Sequence, residues 1–181
     1  MPDQRKVVLF IAVSLDGFIA GPGDDLSFLD SVQQEGEDYG YSAFMRTVDT
    51  IIMGRRTYDW VMKQTKVYPH SDTETYIISH KQYKASGRLR FYNGNLKDLI
   101  LQLKSREGKN IFIDGGAEIV NELLEDKLFD ELIISVIPVL LGDGIKLFRD
   151  GKPIQRVSLQ STRGFESGLV QLHYKVISDN H

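Results

Sequence analysis

The amino-acid sequence predicts an α/β fold: a mixed, mostly parallel sheet that is flanked by helices and ends in an antiparallel hairpin. The continuous apolar run of residues 7–13, bounded by turn residues, is typical of a strand buried on both faces. Two short apolar strands, at 50–53 and 110–114, each end at a glycine turn that leads into a helix. After Lys127 the alternation of strands and helices ends, and three strands follow, of which the last two form the hairpin.

The remaining elements are predicted from residue spacing and turn residues. Residues 20–36 contain several glycines and aspartates and are predicted to be mostly loop. From about Asp38, apolar residues three and four apart predict one helix face, formed by Tyr41, Phe44, Met45 and Val48. Further strands are predicted at 74–79, 88–92, 131–139, 157–165 and 168–177, and helices at 58–62, 96–104 and 117–124.

The composition fits one globular core. The 181 residues are close to the size of one domain, and the apolar share is in the ordinary globular range. With 25 acidic and 22 basic residues, the chain has no global positive field that would gather nucleic acid or an anionic membrane, so an anionic ligand must be met locally. The absence of cysteine excludes disulfides, thiolate nucleophiles and cysteine-ligated metals.

Location and metal content are predicted from short signals. The apolar run 7–13 leads into residues 14–17 without a convincing cleavage site, so we interpret it as a strand and expect a cytoplasmic protein. No apolar run approaches the roughly 20 residues that a membrane helix needs. The histidines lack metal-ligand spacing, which argues against metal chemistry. They are His70, His80, His173 and His181.

Two glycine turns are candidates for binding an anion. A helix N-terminus presents unpaired backbone N–H groups, and glycine lets a ligand come close to them. After Gly54, the side chains of Arg55, Arg56 and Thr57 could bind phosphate oxygens, although an arginine pair here can also be a solvated helix start. The glycine pair at 115–116 can likewise mark only a bend. Two such turns in one sheet point to a dinucleotide, while the Gly-x-Gly-x-x-Gly fingerprint is absent.

Four segments resemble the dihydrofolate reductase-like superfamily, in particular its stand-alone members and the C-terminal reductase domain of riboflavin biosynthesis. The segments are 12–20 (AVSLDGFIA), 52–58 (IMGRRTY), 113–117 (IDGGA), and 130–132 (DEL) through Pro138 to 141–144 (LGDG). They occur in the family's order and cover nearly the whole chain, so residues 1–181 are expected to form one domain of this kind. The resemblance implies a three-layer α/β/α fold with a mixed eight-stranded sheet, and an NADPH-dependent reductase.

The resemblance also implies how such a chain binds NADPH. The backbone at Ala12 and Ile19 would hold the nicotinamide carboxamide. The turn at 54–57 would meet the cofactor phosphates, and Ser79, with its two successors, would stand beside the adenosine 2′-phosphate, which favours NADPH over NADH. The glycine pair would pass under the pyrophosphate, often through a cis peptide. The cofactor-binding residues implied are Ala12, Ile19, Gly54, Arg55, Arg56, Thr57, Ser79, His80, Lys81, Gly115, Gly116, Ala117 and Glu118.

Three polar residues are candidates for the substrate side. Asp114, directly before the glycine pair, would face the nicotinamide and the substrate, where riboflavin-type reductases have a glutamate. Asp38 falls where dihydrofolate reductases keep the carboxylate that binds the pterin, or it is an acid at a helix start. Ser135 matches a hydroxyl that orients the substrate, or it is a small polar residue in a sheet. Either aspartate would bind a ring N–H while the proton arrives through water.

The reaction implied by the resemblance is hydride transfer from NADPH to a pterin-like or aminopyrimidine substrate, as in 5-amino-6-(5-phosphoribosylamino)uracil reductase or dihydrofolate reductase. The chain departs from the riboflavin-type pattern at Phe10, where that domain usually has a lysine, and in the loop 21–28. Two other interpretations stay open: an NADPH-binding sensor or subunit without turnover, and an anion-binding domain without a cofactor. The expected partners are a small-molecule substrate and, because the strand at 132–141 is so apolar, a second copy in a homodimer; neither nucleic acid nor membrane is expected.

Overall fold

In the computed structural model, residues 4–178 are described, and strands alternate with helices along most of this range. The strands are β1 (Val7–Ser14), β2 (Phe18–Ala20), β3 (Val48–Gly54), β4 (Glu74–Ile78), β5 (Leu89–Tyr92), β6 (Asn110–Gly115), β7 (Glu131–Ile137), β8 (Ile145–Lys146), β9 (Val157–Gly164) and β10 (Val170–Val176). The α-helices are α1 (Tyr41–Met45), α2 (Arg55–Gln64), α3 (Leu96–Lys104) and α4 (Ala117–Glu125). Two 3-10 helices, Pro22–Asp24 and Ser27–Val32, lie between β2 and α1.

Eight strands form one mixed sheet in the order β5-β4-β3-β6-β1-β7-β10-β9. The six strands from β5 to β7 are parallel, and β10 pairs antiparallel with both β7 and β9. The prediction of a mostly parallel sheet with a C-terminal antiparallel hairpin is confirmed. A second, two-stranded sheet pairs β2 with β8. Sequence analysis did not predict it, because strands of three and two residues are too short to carry a periodic pattern.

Helices cover both faces of the sheet, so the three-layer arrangement is also confirmed. On one face, α3 and α4 pack against β1 and β6, and the α3 residues three and four apart are buried as the spacing predicted. On the other face, α1 and α2 pack against the alternate residues of β1, β3 and β6. The central residues on the α3 and α4 side include Val7, Leu9, Ile111, Ile113, Leu99 and Leu103.

The segment before β3 differs most from its prediction. The helix expected from about Asp38 to Val48 is only the five residues of α1, and Val48 already pairs with Asn110 in the sheet. A β-branched residue such as Val48 fits the pleated sheet well, and parallel pairing with β6 outweighs the helical spacing. The loop 20–36 contains the two 3-10 helices, whose Phe28 and Val32 pack against β7 and so belong to the core.

The apolar strand that suggested a dimer interface lies inside the sheet. β7 is bonded to β1 on one side and to β10 on the other, and its Leu132, Ile134 and Ile137 are buried in the core of this chain. Core packing therefore explains the apolar residues up to Ile137, whereas Leu140, at the end of the apolar stretch, is exposed. The edge of the sheet on this side is the exposed strand β9. The homodimer stays a prediction.

No helix within residues 4–178 combines the length and the apolarity needed to cross a membrane. In the same part of the chain, no three His, Asp or Glu side chains are grouped so that they could hold a metal ion. His173 Nε2 lies 2.9 Å from Glu131 Oε2, and His70 contacts Tyr41. His181 lies outside the described residues.

Candidate active site

The two glycine turns lie side by side at the carboxyl edge of the sheet. β3 and β6 are parallel neighbours, and Met53 pairs with Gly115 in their register. A Cβ atom added to Gly54 would lie 3.8 Å from both the Gly115 carbonyl oxygen and the Gly116 nitrogen. The peptide bond between Gly115 and Gly116 is cis, as the resemblance implied. Strand pairing therefore brings together two turns that are far apart in the sequence.

Both turns lead directly into the N-termini of helices. α2 begins after Gly54 and α4 after Gly116, and no side chain within residues 4–178 caps either helix. A Cβ on Gly116 would lie 3.5 Å from Thr57 Oγ1, so this hydroxyl belongs to both turns. At the start of α4, Ala117 is buried and Glu118 is exposed. Two sets of backbone donors thus converge, which is an arrangement that binds phosphate groups.

The two arginines of the first turn have different environments. Arg55 Nε donates to Asp59 Oδ1 at 2.7 Å, and its guanidinium lies over the Tyr83 ring, 4.3 Å from the ring centre. Arg55 Nη1 is buried and has no hydrogen-bond partner within residues 4–178. Arg56 is exposed and pairs with Asp24 at 2.7 Å. Because a buried, unpartnered donor is unfavourable, Arg55 is the arginine whose environment favours an added anionic group.

Ser79, His80 and Lys81 follow β4, the strand next to β3. Gly54 pairs with Ile78, so Ser79 lies at the same edge of the sheet as the first turn. Ser79 Oγ accepts a hydrogen bond from the Lys81 backbone N–H at 3.2 Å. The side chains of His80 and Lys81 are exposed. A hydroxyl and two exposed nitrogen-bearing side chains therefore stand beside the arginine turn.

The predicted nicotinamide contacts, Ala12 and Ile19, lie on either side of a rigid turn. Ala12 is in β1, and Ile19 is in β2. Between them, the Asp16 carboxylate accepts hydrogen bonds from Ser14 Oγ at 2.6 Å and from the Gly142 N–H at 2.7 Å. These bonds, with that of Ser14 the largest cause, lower the pKa of Asp16 to about 2. The ionised carboxylate thus fastens the turn to the loop after β7.

Asp114 lies among aromatic residues before the second turn. It follows Phe112 by two residues in β6, so both side chains are on the face covered by α1. Burial raises the pKa of Asp114 to about 6. Burial, and after it the charge of Asp114, raises the pKa of Tyr41 and of Tyr68. Tyr41 Oη lies 3.0 Å from His70 Nε2, so a tyrosine–histidine pair lies near Asp114, whose charge acts on Tyr41.

A cavity of about 540 Å³ opens on this face of the sheet. β1 and β7 contribute Phe10, Ala12, Ser135 and Ile137 to it, and the opposite wall comes from the segment 29–39. The ring of Phe10 also lies 5.7 Å from that of Tyr41, measured between centres, which connects the cavity to the aromatic group around Asp114. The volume is in the range of small-molecule sites.

Ser135 and Asp38 both line this cavity. Ser135 Oγ accepts a hydrogen bond from Gln171 Nε2 at 3.1 Å. The Asp38 carboxylate accepts from the backbone N–H groups of Ser42 and Gly40, each at 2.9 Å. These hydrogen bonds lower the pKa of Asp38, those from Ser42 most. Asp38 thus has the geometry of an acid at the start of α1, and it stands at the wall of the cavity at the same time.

The structure brings the predicted residues into two groups. One surrounds the two turns and contains Gly54, Arg55, Arg56, Thr57, Ser79, His80, Lys81, Gly115, Gly116, Ala117 and Glu118. The other is the cavity, with Ala12, Asp38 and Ser135, while Asp114 is not among its lining residues. Sequence analysis missed Tyr41, His70 and Gln171 as site residues. Their hydrogen-bond partners come from distant segments, so no local pattern could have indicated them.

Comparisons with known proteins identify relatives of this chain. Residues 59–171 match the family model of the RibD C-terminal domain. The Bacillus subtilis protein YwjB is 43% identical over 173 residues, which cover 94% of this chain and 98% of the relative. A protein of Shewanella sp. PV-4 named for riboflavin biosynthesis has a solved structure with 29% identity and a TM-score of 0.87, covering 96% of this chain and 99% of that one.

A likeness of fold extends further. The dihydrofolate reductase of Enterococcus faecalis, solved with NADP(H), is 15% identical with a TM-score of 0.64, and the alignment covers 97% of this chain and 98% of that one. The family model spans more than half of the chain, and the relative at 43% identity spans nearly all of it. The chain belongs to the RibD C-terminal domain family and has the dihydrofolate reductase-like fold.

Proposed function

We propose that this protein is an NADPH-dependent reductase that transfers hydride to a pterin-like or aminopyrimidine substrate held in the cavity. Membership of a reductase-like family supports the general class. The observation that carries the proposal is the contact between the two glycine turns beside this cavity. β6 is the paired neighbour of β1, so the end of β6 at Gly115 lies beside the stretch of β1 that contains Ala12, and Ala12 lines the cavity. A cofactor at the turns and a substrate in the cavity would therefore be neighbours.

The residues at the turns fit a phosphorylated dinucleotide. The N-termini of α2 and α4 have no side-chain caps within residues 4–178, and Arg55 Nη1 is a buried donor without a partner there. In the proposal, the backbone N–H groups bind the phosphates, Arg55 and Ser79 bind the adenosine 2′-phosphate, and the backbone at Ala12 and Ile19 holds the nicotinamide. When bound, the reduced cofactor supplies the hydride. The protein contributes mainly position and charge.

On the substrate side we propose that Asp114 accepts a hydrogen bond from a ring N–H. With a pKa raised to about 6, its carboxylate is ionised at neutral pH yet more basic than an exposed aspartate. A carboxylate that binds a ring N–H raises the basicity of the ring, so the ring is more easily protonated, and a protonated ring accepts hydride more readily than a neutral one. Ser135 and Asp38 would orient the substrate from the cavity wall, and the proton would arrive through water.

Calorimetric titration with NADPH and, separately, with NADH tests the proposal. We expect micromolar binding with a clear preference for NADPH. Turnover is then measured as NADPH loss in the presence of pterins, folates and aminopyrimidines. Binding without turnover of any of them would favour the sensor or subunit, and no binding of either cofactor would contradict both functions.

Two further predictions, the homodimer and the cytoplasmic location, are tested by separate experiments. The homodimer is tested by sedimentation equilibrium of the purified protein, in which a single species of one chain mass would contradict it. The cytoplasmic location is a prediction from the sequence alone, and fractionation of cells that express the protein would test it.

A further inference from the structure

The charged side chains that line the cavity are all acidic. Glu35, Glu37 and Asp38 line the wall that faces β1 and β7. Among the described residues that line the cavity, none is lysine, arginine or histidine. The described lining therefore carries three carboxylates and no cationic side chain.

Two of these carboxylates are held in place by the backbone. Glu37 Oε1 accepts a hydrogen bond from the Tyr39 N–H at 2.7 Å, and Asp38 accepts from Gly40 and Ser42. The bonds to Asp38 lower its pKa, so it is ionised at neutral pH. Both side chains are thus hydrogen-bonded to the segment that forms the wall.

The rest of the cavity is uncharged. Phe10, Ala12, Ile137 and Leu169 give it an apolar lining. Its neutral polar side chains include Ser135, whose hydroxyl accepts a hydrogen bond from Gln171 Nε2, and the amides of Gln33 and Gln34. Such a surface suits a flat ring that offers N–H groups at its edge and apolar area on its faces.

A phosphate group would find no cationic side chain among the described residues that line the cavity. A phosphate ester carries about −1.5 to −2 charges at neutral pH, and proteins bind it with cationic side chains or with free N–H groups. At the wall, the N–H groups of Gly40 and Ser42 are already bonded to Asp38. These two backbone donors are thus occupied by a carboxylate of the protein itself. Gln33 and Gln34 offer only neutral amide donors, and the three carboxylates of the wall would repel an anion.

We infer that the substrate of this cavity carries no phosphate and is a neutral or cationic nitrogen heteroaromatic, such as an unphosphorylated aminopyrimidine or a pterin. The inference rests on the proposed function, since it names the substrate class of the same site. It separates this chain from an enzyme that acts on a 5-phosphoribosylamino-pyrimidine. Phosphate recognition is then confined to the glycine turns.

Two arginines near the cavity interact with groups of the protein itself. Arg163 lies over the ring of Phe165, 4.5 Å from its centre, and Phe165 packs against Tyr39. Arg46 is exposed after α1, and its charge contributes to the lowered pKa of Asp38. Neither is among the residues that line the cavity.

The test compares a ribitylamino-substituted aminopyrimidine with the same molecule phosphorylated on its terminal hydroxyl. Dissociation constants are measured by calorimetry on the wild-type protein, with and without NADPH, at low and at physiological salt. We expect the unphosphorylated ligand to bind at least tenfold more tightly, with a gap that narrows as salt screens the repulsion. Equal or tighter binding of the phosphorylated ligand, or binding of neither, would overturn the inference.

Different results would contradict the proposed function and the inference about the substrate. A protein that binds NADPH and prefers the phosphorylated ligand would keep the proposed function and lose this inference. A protein that binds the unphosphorylated ligand but no nicotinamide cofactor would keep the cavity assignment and lose the reductase.

Charge variants test whether the carboxylates of the wall cause the preference for the unphosphorylated ligand. Glu35→Lys is expected to improve binding of the phosphorylated ligand about fivefold relative to the unphosphorylated one, as expected for a partly exposed charge. The matched control is Glu107→Lys, an exposed glutamate before β6 at the opposite edge of the sheet, which should leave the ratio unchanged. Arg163→Gln should also leave it unchanged. Weaker binding of the phosphorylated ligand alone in Arg163→Gln would mean that Arg163 binds the phosphate, and would overturn the inference.

Discussion

Gly116 and Thr57 are neighbours across the carboxyl edge of the sheet, because a Cβ atom on Gly116 would lie 3.5 Å from Thr57 Oγ1. This is an ordinary van der Waals distance, so the folded chain has room for one methyl group at this place. The same methyl group would stand where the proposed cofactor approaches the backbone of α4. A methyl group at Gly116 should therefore be compatible with the fold but should obstruct the proposed cofactor.

Gly116→Ala is therefore expected to fold like the wild type and to bind NADPH at least tenfold more weakly. Thermal denaturation checks the fold, and calorimetry checks the binding. The control is Gly164→Ala, since a Cβ there would meet no atom within 4 Å and the residue lies in β9, away from the turns. Unchanged NADPH affinity in folded Gly116→Ala would argue against a cofactor at this turn.

Arg55→Ala is expected to weaken NADPH binding by about tenfold to a hundredfold and NADH binding much less. The reason is the loss of a charge-assisted partner of the 2′-phosphate, worth roughly 1.5–3 kcal/mol. Arg88→Ala, at an exposed arginine directly before β5, is the matched control. Equal losses for the two cofactors would place Arg55 outside the 2′-phosphate site.

Asp114→Asn is expected to lower turnover about a hundredfold while NADPH affinity stays near that of the wild type. The amide keeps the size of the side chain but is a weaker hydrogen-bond acceptor for a ring N–H. Steady-state rates and cofactor titration of the same preparation measure the two effects. If a folded Asp114→Asn protein lost cofactor binding instead, Asp114 would belong to the cofactor site.

The same substitution should stabilise the protein at high pH. The folded-state pKa of about 6 lies above the unfolded value of 3.8, so the folded state binds this proton more tightly. Wild-type stability contributed by this group is fully present below the unfolded pKa and is lost as the pH rises through the folded pKa. Asp114→Asn should therefore exceed the wild type by up to about 3 kcal/mol well above pH 6.

Denaturant unfolding at a series of pH values measures this difference. It should shrink as the pH falls through the folded pKa and vanish below the unfolded pKa, where the Asp114 carboxyl is protonated in both states. A difference that does not change with pH would mean that Asp114 has an ordinary pKa in the folded protein.

Gly144→Ala is expected to be much more destabilising than Gly142→Ala. Both glycines have a positive φ, which costs a side chain about 1 kcal/mol. Only at Gly144 would the new Cβ also meet backbone, at 2.1 Å from the Ala20 carbonyl oxygen, so that the pairing of β2 with β8 must shift. Unfolding free energies of the two variants measure the contrast, and similar values would contradict the close approach of these strands.

Most of the secondary-structure elements could be predicted from local sequence patterns. The spacing of Leu99, Ile100 and Leu103 predicted α3 with the bounds it has, since side-chain periodicity depends on neighbours along the chain. The same logic failed at Val48, where the helical spacing was incidental and pairing with β6 decided the conformation. It also failed for β2 and β8, because these short segments are strands only through their pairing with each other.

The sequence by itself determined the order of strands and helices, the two glycine turns and the arginines beside one of them, because apolar periodicity and the freedom of glycine act over a few residues. Only the tertiary structure decided that Gly54 and Gly116 meet, that Tyr41 contacts His70 and that carboxylates alone charge the cavity wall. It also raised the pKa of Asp114. Strand pairing and loss of water depend on residues distant in the chain, and no local pattern contains them.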